Sequence, residues 1–229
     1  MSDVNHARND DTLVTCFFDA PPSAAGESAE ALAPSPQRGL IPASIVIRAN
    51  GRRIALLCGE RFVVGRHRSC DIVSPPAPAG DAAARRRSLK VSRRHCEIFR
   101  RSGAWCMRDG EGDRHSSFGT WWNGEQVFGE VQLGSRPGIL SLGGPSAVDS
   151  VAFDVKAAGP SLVLSSRSAA ADCHLLMAGE TDLALVDERL AGLWVVCADG
   201  AMRWRRGSET GVFVPGTPIP GAGEGMWVE

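Results

Sequence analysis

The sequence predicts an all-β fold, and three observations support this. Short apolar segments recur from residue 44 to residue 229, and Gly, Pro, Asn, Asp or Ser residues separate them. Several segments alternate apolar and polar residues, as strands with one buried face do. No long amphipathic helix is evident between them. Short strands joined by turn residues are typical of β-sandwiches and β-barrels.

Residues 1–41 have a different composition, rich in Ala, Ser, Pro and Asp, which predicts a disordered N-terminal tail. One apolar segment within it, TLVTCFF at residues 12–18, is expected to dock on a folded surface. The first residues are polar and acidic and contain no apolar signal core. No run of about 18 apolar residues occurs. We therefore expect a cytoplasmic protein with no membrane insertion.

A β-sandwich domain is predicted over residues 42–157. SIVIRA and RIALLC flank Asn50-Gly51, a strong hairpin signal, and ERFVVG follows as a third strand. The later strand candidates are CEIF, AWCMRD, GTWWNG, EQVF, ILSLG and SVAFDV. Residues 74–88 carry no strand signal and are predicted to be a long inserted loop.

Residues 158–229 are predicted to form a smaller β-rich C-terminal unit. Its strand candidates include SLVLSS, CHLLM, GLWVVC and AMRWRR, and Asp199-Gly200 predicts a hairpin between the last two. The alternation in DLALV favours a strand over a helix.

The charge of the chain is concentrated in one segment. The net charge is -1, but residues 85–101 contain eight Arg or Lys residues and only one acid, Glu97. Such a cluster attracts phosphate, nucleic acid or an acidic partner. Nucleic-acid binding is not expected, because the cluster lacks interleaved aromatic residues and the domain as a whole is not basic.

The seven cysteines contain no CxxC pair, so neither a zinc site nor another cofactor is expected. Four lie within apolar strand-like segments and are expected to be buried thiols: Cys58, Cys96, Cys106 and Cys197. We find no nucleophile–base set and no phosphate-binding glycine loop leading into a helix, so we do not expect an enzyme. The scarcity of lysine relative to arginine indicates a GC-rich, bacterial genome.

Two segments have the residue types of an anion pocket. Gly65 ends an apolar strand and Arg66 follows it, while Ser92 and Arg93 precede the strand CEIF. A serine hydroxyl and the planar N–H fork of arginine both suit phosphate. If the two loops lie at the same end of a sandwich, they form such a pocket. Arg94 is expected to be solvated.

These motifs, in this order, resemble the forkhead-associated (FHA) domain. Gly-Arg at residue 65, Ser-Arg-Arg-His at residue 92 and SSFGTWWNG at residues 116–124 follow the family pattern of Gly-Arg, Ser-x-x-His and Asn-Gly-Thr-x-x-Asn-Gly. The resemblance covers residues 44–155. It implies an FHA-type β-sandwich that binds phosphothreonine peptides through loops at one end.

The resemblance implies a role for each matching residue. Arg66 would hold the phosphate, Ser92 would donate its hydroxyl, and Arg93 would add a second charge. Ser117 would supply a further hydroxyl.

Four further residues would be structural: Gly65, His95, Gly119 and Asn123. His95 would brace a loop, and Asn123 would connect neighbouring loops.

Phe118 departs from the family pattern, which has Asn at this position. A phenylalanine side chain cannot make the hydrogen bond that this Asn amide makes to the peptide backbone. Because Trp121 and Trp122 are adjacent, one is expected to face the core and the other to face outward.

The C-terminal third repeats the pattern faintly. SETGVFVPGTPI is similar to SSFGTWWNGEQV, with Gly211 at the position of Gly119 and Gly216 at that of Gly124. Our hypothesis is a degenerate second FHA-like unit that binds no phosphate. A generic β extension is the alternative.

The resemblance implies a phosphothreonine-dependent interaction adaptor in a bacterial Ser/Thr phosphorylation or secretion-system circuit. Its ligand is expected to be a phosphothreonine-containing protein or the chain's own tail, phosphorylated at Thr12 or Thr15. The alternative is a phosphate-independent scaffold that binds a protein partner through an apolar surface around Phe118.

Overall fold

The computed structural model describes residues 43–229 except residues 50, 75–76, 135, 169–171, 199–200 and 223–224. The predicted disordered tail, with its apolar segment and with Thr12 and Thr15, lies outside the described residues. The same holds for the predicted turn residues Asn50, Asp199 and Gly200.

Strands dominate the described part of the chain. They are β1 (Ala43–Ala49), β2 (Arg52–Cys58), β3 (Arg61–Gly65), β4 (Ile72–Val73), β5 (Cys96–Arg101), β6 (Ala104–Asp109), β7 (Thr120–Trp122), β8 (Glu125–Gln126), β9 (Glu130–Gln132), β10 (Gly138–Leu142), β11 (Val151–Ala158), β12 (Ser161–Ser166), β13 (Cys173–Met177), β14 (Thr181–Asp182), β15 (Leu193–Ala198), β16 (Ala201–Arg206), β17 (Glu209–Val212) and β18 (Met226–Val228). One α-helix, α1 (Ala82–Lys90), and two 3-10 turns, Leu183–Leu185 and Glu188–Leu190, complete the elements in these residues. The predicted all-β fold class is confirmed.

The strands form three sheets in three layers. The nine-stranded sheet has the order β18-β1-β2-β13-β12-β11-β10-β7-β8, the five-stranded sheet β4-β3-β5-β6-β9, and the four-stranded sheet β14-β15-β16-β17. One apolar core lies between the nine- and five-stranded sheets and contains Phe62, Trp105 and Phe153. A second core joins the nine- and four-stranded sheets and contains Ile47 and Val195. The nine-stranded sheet is therefore the middle layer.

Strand alternation explains how one sheet serves both cores. Along β12, Leu162 and Leu164 enter the first core, whereas Val163 enters the second. Successive side chains of a strand point to opposite faces, so a strand in a middle layer is apolar on both sides. This accounts for the continuous burial of CHLLM in β13.

Both predicted hairpins form. Ala49 pairs with Arg52 across the first, and Ala198 pairs with Ala201 across the second. Trp122 packs against the first core and Trp121 does not, which confirms the expected division of the tryptophan pair.

The segment predicted as a loop at residues 74–88 contains α1, so the prediction of a loop throughout was wrong. Its alanines and arginines are good helix formers but carry no apolar period. Asp81 caps the helix by accepting a hydrogen bond from the Ala84 N–H at 2.8 Å. No buried apolar face contributes to this helix.

DLALV is not the strand that its alternation predicted. Only Thr181–Asp182 is extended, and Leu183–Leu185 forms a 3-10 turn. The Asp182 carboxylate accepts the Ala184 N–H at 2.9 Å and so starts the turn.

The expectation of four buried thiols holds for only two of the cysteines. Cys96 and Cys106 are free and buried. Cys58 of β2 and Cys197 of β15 instead form a disulfide, with their Cα atoms 6.1 Å apart. The bond connects the middle layer to the four-stranded sheet.

The C-terminal strands share sheets with the N-terminal ones. β13 pairs in parallel with β2, β18 pairs antiparallel with β1, and β11 pairs with β12 across residue 158. The division into units 42–157 and 158–229, and the degenerate repeat, stay predictions. No helix in the described residues is long and apolar enough to cross a membrane.

Candidate functional site

Three loops meet at one edge of the sheets, where β3 and β6 end and β5 and β7 begin. The loop after β3 contacts the segment before β5 through two backbone bonds. Arg66 N–H donates to Ser92 O at 3.1 Å, and His67 N–H donates to Arg93 O at 3.0 Å. A Cβ on Gly65 would overlap the Arg93 carbonyl oxygen, so this approach requires glycine. The sheet edge thus brings Arg66 beside Ser92 and Arg93.

His95 connects this pair of loops to the third. Its Nδ1 accepts the Ser92 N–H at 2.9 Å, and its Nε2 lies 3.0 Å from Gly119 O. Because a backbone N–H can only donate, Nδ1 is the acceptor and Nε2 carries the hydrogen. Burial lowers the pKa of His95, although the bond to Gly119 O acts in the opposite direction. The imidazole is therefore a neutral brace, and it leaves no nitrogen for a ligand.

The third loop, residues 110–119, is shaped by Asp109. Its carboxylate accepts the Ser116 N–H at 3.0 Å, the Ser116 hydroxyl at 2.6 Å and the Thr120 hydroxyl at 2.6 Å. Burial acts to raise the pKa of Asp109, but these hydrogen bonds outweigh it and the pKa is lowered. A charged Asp109 thus holds both ends of the segment that contains Ser117.

Ser92 is tied to this loop as well. Its Oγ accepts the Ser117 N–H at 3.0 Å, which leaves the Ser92 hydroxyl hydrogen to donate elsewhere. Ser117 itself is exposed. The two serines predicted to contact a ligand are therefore neighbours.

The arginines of the site differ in their partners. Arg66 and Arg93 are exposed, and neither side chain has an ion pair or hydrogen bond with the described residues. Arg94 instead forms a bidentate ion pair with Glu111 and donates to Ser69 Oγ at 3.2 Å. Arg94 thus fastens the first loop to the third and is not merely solvated. Two charged forks remain available to an anion.

A cleft of about 450 Å³ opens between the three loops. It is lined by His67, Ser69, Ser92, Arg93, Arg94, Glu111, Arg114, His115 and Ser117. Arg66 is not in this lining and lies on the adjoining turn. Phe118 does not line the cleft either. Sequence reasoning missed five of these residues, whose only signal is the run of polar residues in the loops after β3 and β6: His67, Ser69, Glu111, Arg114 and His115.

Phe118 is on the outside of the site, with 54% of its surface exposed. The Phe118 carbonyl oxygen accepts the Trp121 Nε1–H at 3.3 Å, so the indole of Trp121 lies next to the Phe118 backbone. Phe128, 81% exposed, follows Val127, whose N–H donates to Thr120 O at 2.9 Å. The residue that departs from the motif is therefore an exposed aromatic side chain next in sequence to Ser117 of the cleft.

Asn123 occupies the left-handed turn between β7 and β8, with φ 51°. Its N–H donates to Ile139 O at 2.9 Å, and its Oδ1 accepts the Ile139 N–H at 2.8 Å. These bonds connect the turn to β10, away from the cleft. Gly119, with φ +77°, also adopts a conformation that favours glycine.

The chain is thus a β-sheet protein with a cation-rich loop site at one sheet edge. The FHA domain family model matches residues 62–138, about a third of the chain. All nine residues predicted for the site lie in the matched range.

Solved structures, FHA domains among them, are similar to part of the chain. The FHA-1 domain of Rv1747 from Mycobacterium tuberculosis is 23% identical, covering 50% of this chain and 95% of that one, with a TM-score of 0.32. A structure from work on phosphothreonine-dependent FHA domain interactions is 25% identical, covering 44% and 88%, with a TM-score of 0.29. The Slr1951 protein from Synechocystis sp. is 24% identical, covering 44% and 88%, with a TM-score of 0.30. No curated protein sequence matches the chain.

Proposed function

We propose that this protein is a phosphothreonine-dependent interaction adaptor. The observation that carries the proposal is the backbone contact that brings Arg66 next to Ser92 and Arg93, because neither arginine side chain has a partner among the described residues. Both loops lie within the range that the FHA domain family model matches. A phosphate dianion accepts several hydrogen bonds, and each bond to a charged donor is worth about 1.5–3 kcal/mol. Gly65 and His95 support the role by fixing the loops that carry these groups.

Phe118 changes the selectivity of such a site without removing its phosphate contacts. A missing backbone hydrogen bond costs about 0.5–1.5 kcal/mol, less than two charged phosphate contacts contribute together. Because Phe118 does not line the cleft, it does not occupy the space between Ser92 and Ser117. The peptide segment beside the phosphothreonine then meets an aromatic surface where an amide would otherwise stand.

The test is fluorescence-polarisation binding to a degenerate phosphothreonine peptide library, with phosphoserine and unphosphorylated libraries as references. Binding is expected for phosphothreonine alone, and Arg66→Ala should weaken it at least tenfold, since about 1.4 kcal/mol corresponds to a factor of ten. Arg203→Ala is the matched control, because Arg203 is an exposed arginine on β16 that has no partner among the described residues. Failure of the wild type to bind any phosphopeptide would overturn the proposal.

The tail is a candidate internal ligand. Thr12 follows Asp10 and Asp11, and Thr15 lies three residues further on. Phosphorylation of either threonine would let the tail compete for the site. Protein phosphorylated on the tail should then bind an external phosphopeptide more weakly than unphosphorylated protein, and equal affinities would refute this internal ligand.

The cellular setting belongs to the proposal too. A cytoplasmic bacterial Ser/Thr phosphorylation or secretion-system circuit would supply phosphothreonine-bearing partners. Pull-down with wild type and Arg66→Ala from phosphatase-treated and untreated lysate would test this, because true partners are lost in both the variant and the treated sample.

A second function is favoured by the exposure of Phe118 and Phe128. A phosphate-independent scaffold would use this aromatic surface to bind an apolar partner. In that case Phe118→Ala weakens partner binding, and Arg66→Ala leaves it intact. The opposite pattern in the same two variants refutes the scaffold.

A further inference from the structure

Helix α1 contributes nothing to either core. Its nine residues include no buried side chain. The Asp81 cap begins it, and the Val91 N–H bond to Ser88 O at 3.2 Å closes it. A surface helix of this length is marginal in isolation, so tertiary contacts must hold it in place.

Two basic side chains provide those contacts. Lys90 Nζ donates to Asp149 O at 3.1 Å, and Arg87 reaches Val148 O at 3.5 Å. Both residues lie in the last turn, where positive charge is also favourable to the helix dipole. They fix one face of the helix on the loop between β10 and β11.

This anchoring places α1 beside the candidate site. Gly143 N–H donates to Gly119 O at 3.0 Å, and a Cβ on Gly143 would overlap the Cβ of Lys90. Gly143 therefore lies between the helix and the third loop. The chain also runs directly from the helix through Val91 into Ser92, so α1 adjoins the site on two sides.

Two arginines of α1 have no acidic partner among the described residues. Arg85 and Arg86 are exposed and have no ion pair or side-chain hydrogen bond with the described residues. Around the cleft, Arg66, Arg93 and Arg114 are likewise exposed and without a side-chain partner among the described residues. Elsewhere many arginines are paired with carboxylates: Arg48, Arg53, Arg61, Arg101, Arg108, Arg167, Arg189 and Arg205.

We infer that Arg85 and Arg86 bind acidic side chains that flank the phosphothreonine in the ligand, an inference that rests on the proposed function. The helix rises about 1.5 Å per residue, which puts these arginines roughly 10 Å from Ser92. An extended peptide covers about 3.3 Å per residue, so the acidic residues lie about three to five positions from the phosphothreonine. The ligand class is therefore an acidic phosphothreonine peptide.

An acidic peptide fits this surface better than nucleic acid does. The helix is nine residues long and carries Leu89 but no aromatic side chain on which a base could stack. The unpaired charge also continues into the phosphate site and does not form a separate stripe. One extended peptide can contact both.

The experiment uses the full chain and fluorescence polarisation at 0.05 M and 0.3 M salt. The probes are phosphothreonine peptides of equal length with neutral flanks, with acidic residues before the phosphothreonine, or with acidic residues after it. The wild type is expected to bind one acidic peptide about 3- to 20-fold more tightly than the neutral one, as two exposed ion pairs allow. Higher salt should reduce this ratio.

The double variant Arg85→Gln/Arg86→Gln should bring the ratio to about one, whereas Arg203→Gln should leave it unchanged. The inference would be overturned if the wild type bound the acidic and neutral phosphopeptides equally, or if the double variant kept the preference for the acidic peptide. Binding of the neutral phosphopeptide would still support the proposed function in either case. A single-stranded DNA probe that binds more tightly than the acidic peptides, and depends on the same arginines, would overturn it in favour of nucleic acid. No binding of any phosphopeptide would refute the proposed function and the inference with it.

Discussion

Replacing His95 with alanine is expected to destabilise the fold and loosen the site together. The imidazole is fully buried and bridges Ser92 N–H and Gly119 O at 2.9 and 3.0 Å. His95→Ala leaves a backbone donor and a backbone acceptor without partners. It also leaves a void at the start of β5.

The size of the loss follows from the burial of the two partners. Gly119 is buried, so its unpaired carbonyl costs most of the 1–3 kcal/mol expected for a buried polar group, about 2 kcal/mol. Ser92 is half-buried and partly accessible to water, so its N–H adds about 1 kcal/mol. The total of about 3 kcal/mol corresponds to a fall of about 6–12 °C in the melting temperature of a domain of this size.

The assay is urea-induced unfolding followed by tryptophan fluorescence, with amide hydrogen exchange of residues 116–119 as a second readout. His67→Ala is the matched control, because His67 is exposed and its ring contacts only Ser69 among the described residues. It should change the free energy of unfolding by less than about 0.5 kcal/mol. If His95→Ala costs no more than His67→Ala and leaves exchange unchanged, His95 does not brace the loops.

Three other perturbations have expected outcomes. Gly65→Ala places a Cβ against the Arg93 backbone carbonyl and should lower the free energy of unfolding by at least about 2 kcal/mol in a urea titration. Gly144→Ala is the control: its Cβ would meet no atom within 4 Å, so its free energy of unfolding should be nearly unchanged. Burial lowers the pKa of His174 to about 4. Between about pH 6.5 and pH 4 the unfolded chain therefore binds a proton at this ring, whereas the folded chain does not. The contribution of His174 to the free energy of unfolding is complete above about pH 6.5 and should fall by about 3 kcal/mol as the pH drops to 4. Unfolding midpoints of wild type and His174→Leu across this range would test it, and an equally steep loss in the variant would refute it. Cys58→Ser removes a disulfide to Cys197 that spans 139 residues of sequence, so it should lower the free energy of unfolding by up to about 5 kcal/mol without reductant. With reductant the wild type and the variant should be equally stable, and a stability difference that persists there would contradict this cause.

Sequence patterns predicted most of the strands because most apolar runs follow a local rule. The hairpin at residues 49–52 follows from its turn residues, and the loops around Gly65 and Ser92 follow from motif order. Helix α1 escaped prediction because Ala and Arg form helices without any apolar period. The turn at Leu183–Leu185 escaped because the Asp182 cap overrides alternation.

The remaining features depend on long-range geometry. The disulfide joins residues separated by 139 positions, which spacing alone does not reveal. Glu111 enters the site only because the third loop folds back onto Arg94. Charge counting located the basic segment, but only the ion pairs distinguish the occupied arginines from the available ones.

The order of strands in the middle layer limits how this protein can be truncated. The β1–β2 hairpin reaches β11 only through β13 and β12, and its outer edge is covered by β18. A fragment that ends at residue 157 would leave that hairpin with two unpaired edges and would expose the apolar side chains of Ile47 and Ile54. Open edges and apolar patches of this kind promote aggregation. Expression of residues 43–157 by themselves is therefore expected to fail. Any transfer of the candidate site to another protein must include the last 70 or so residues, since β18 ends at Val228.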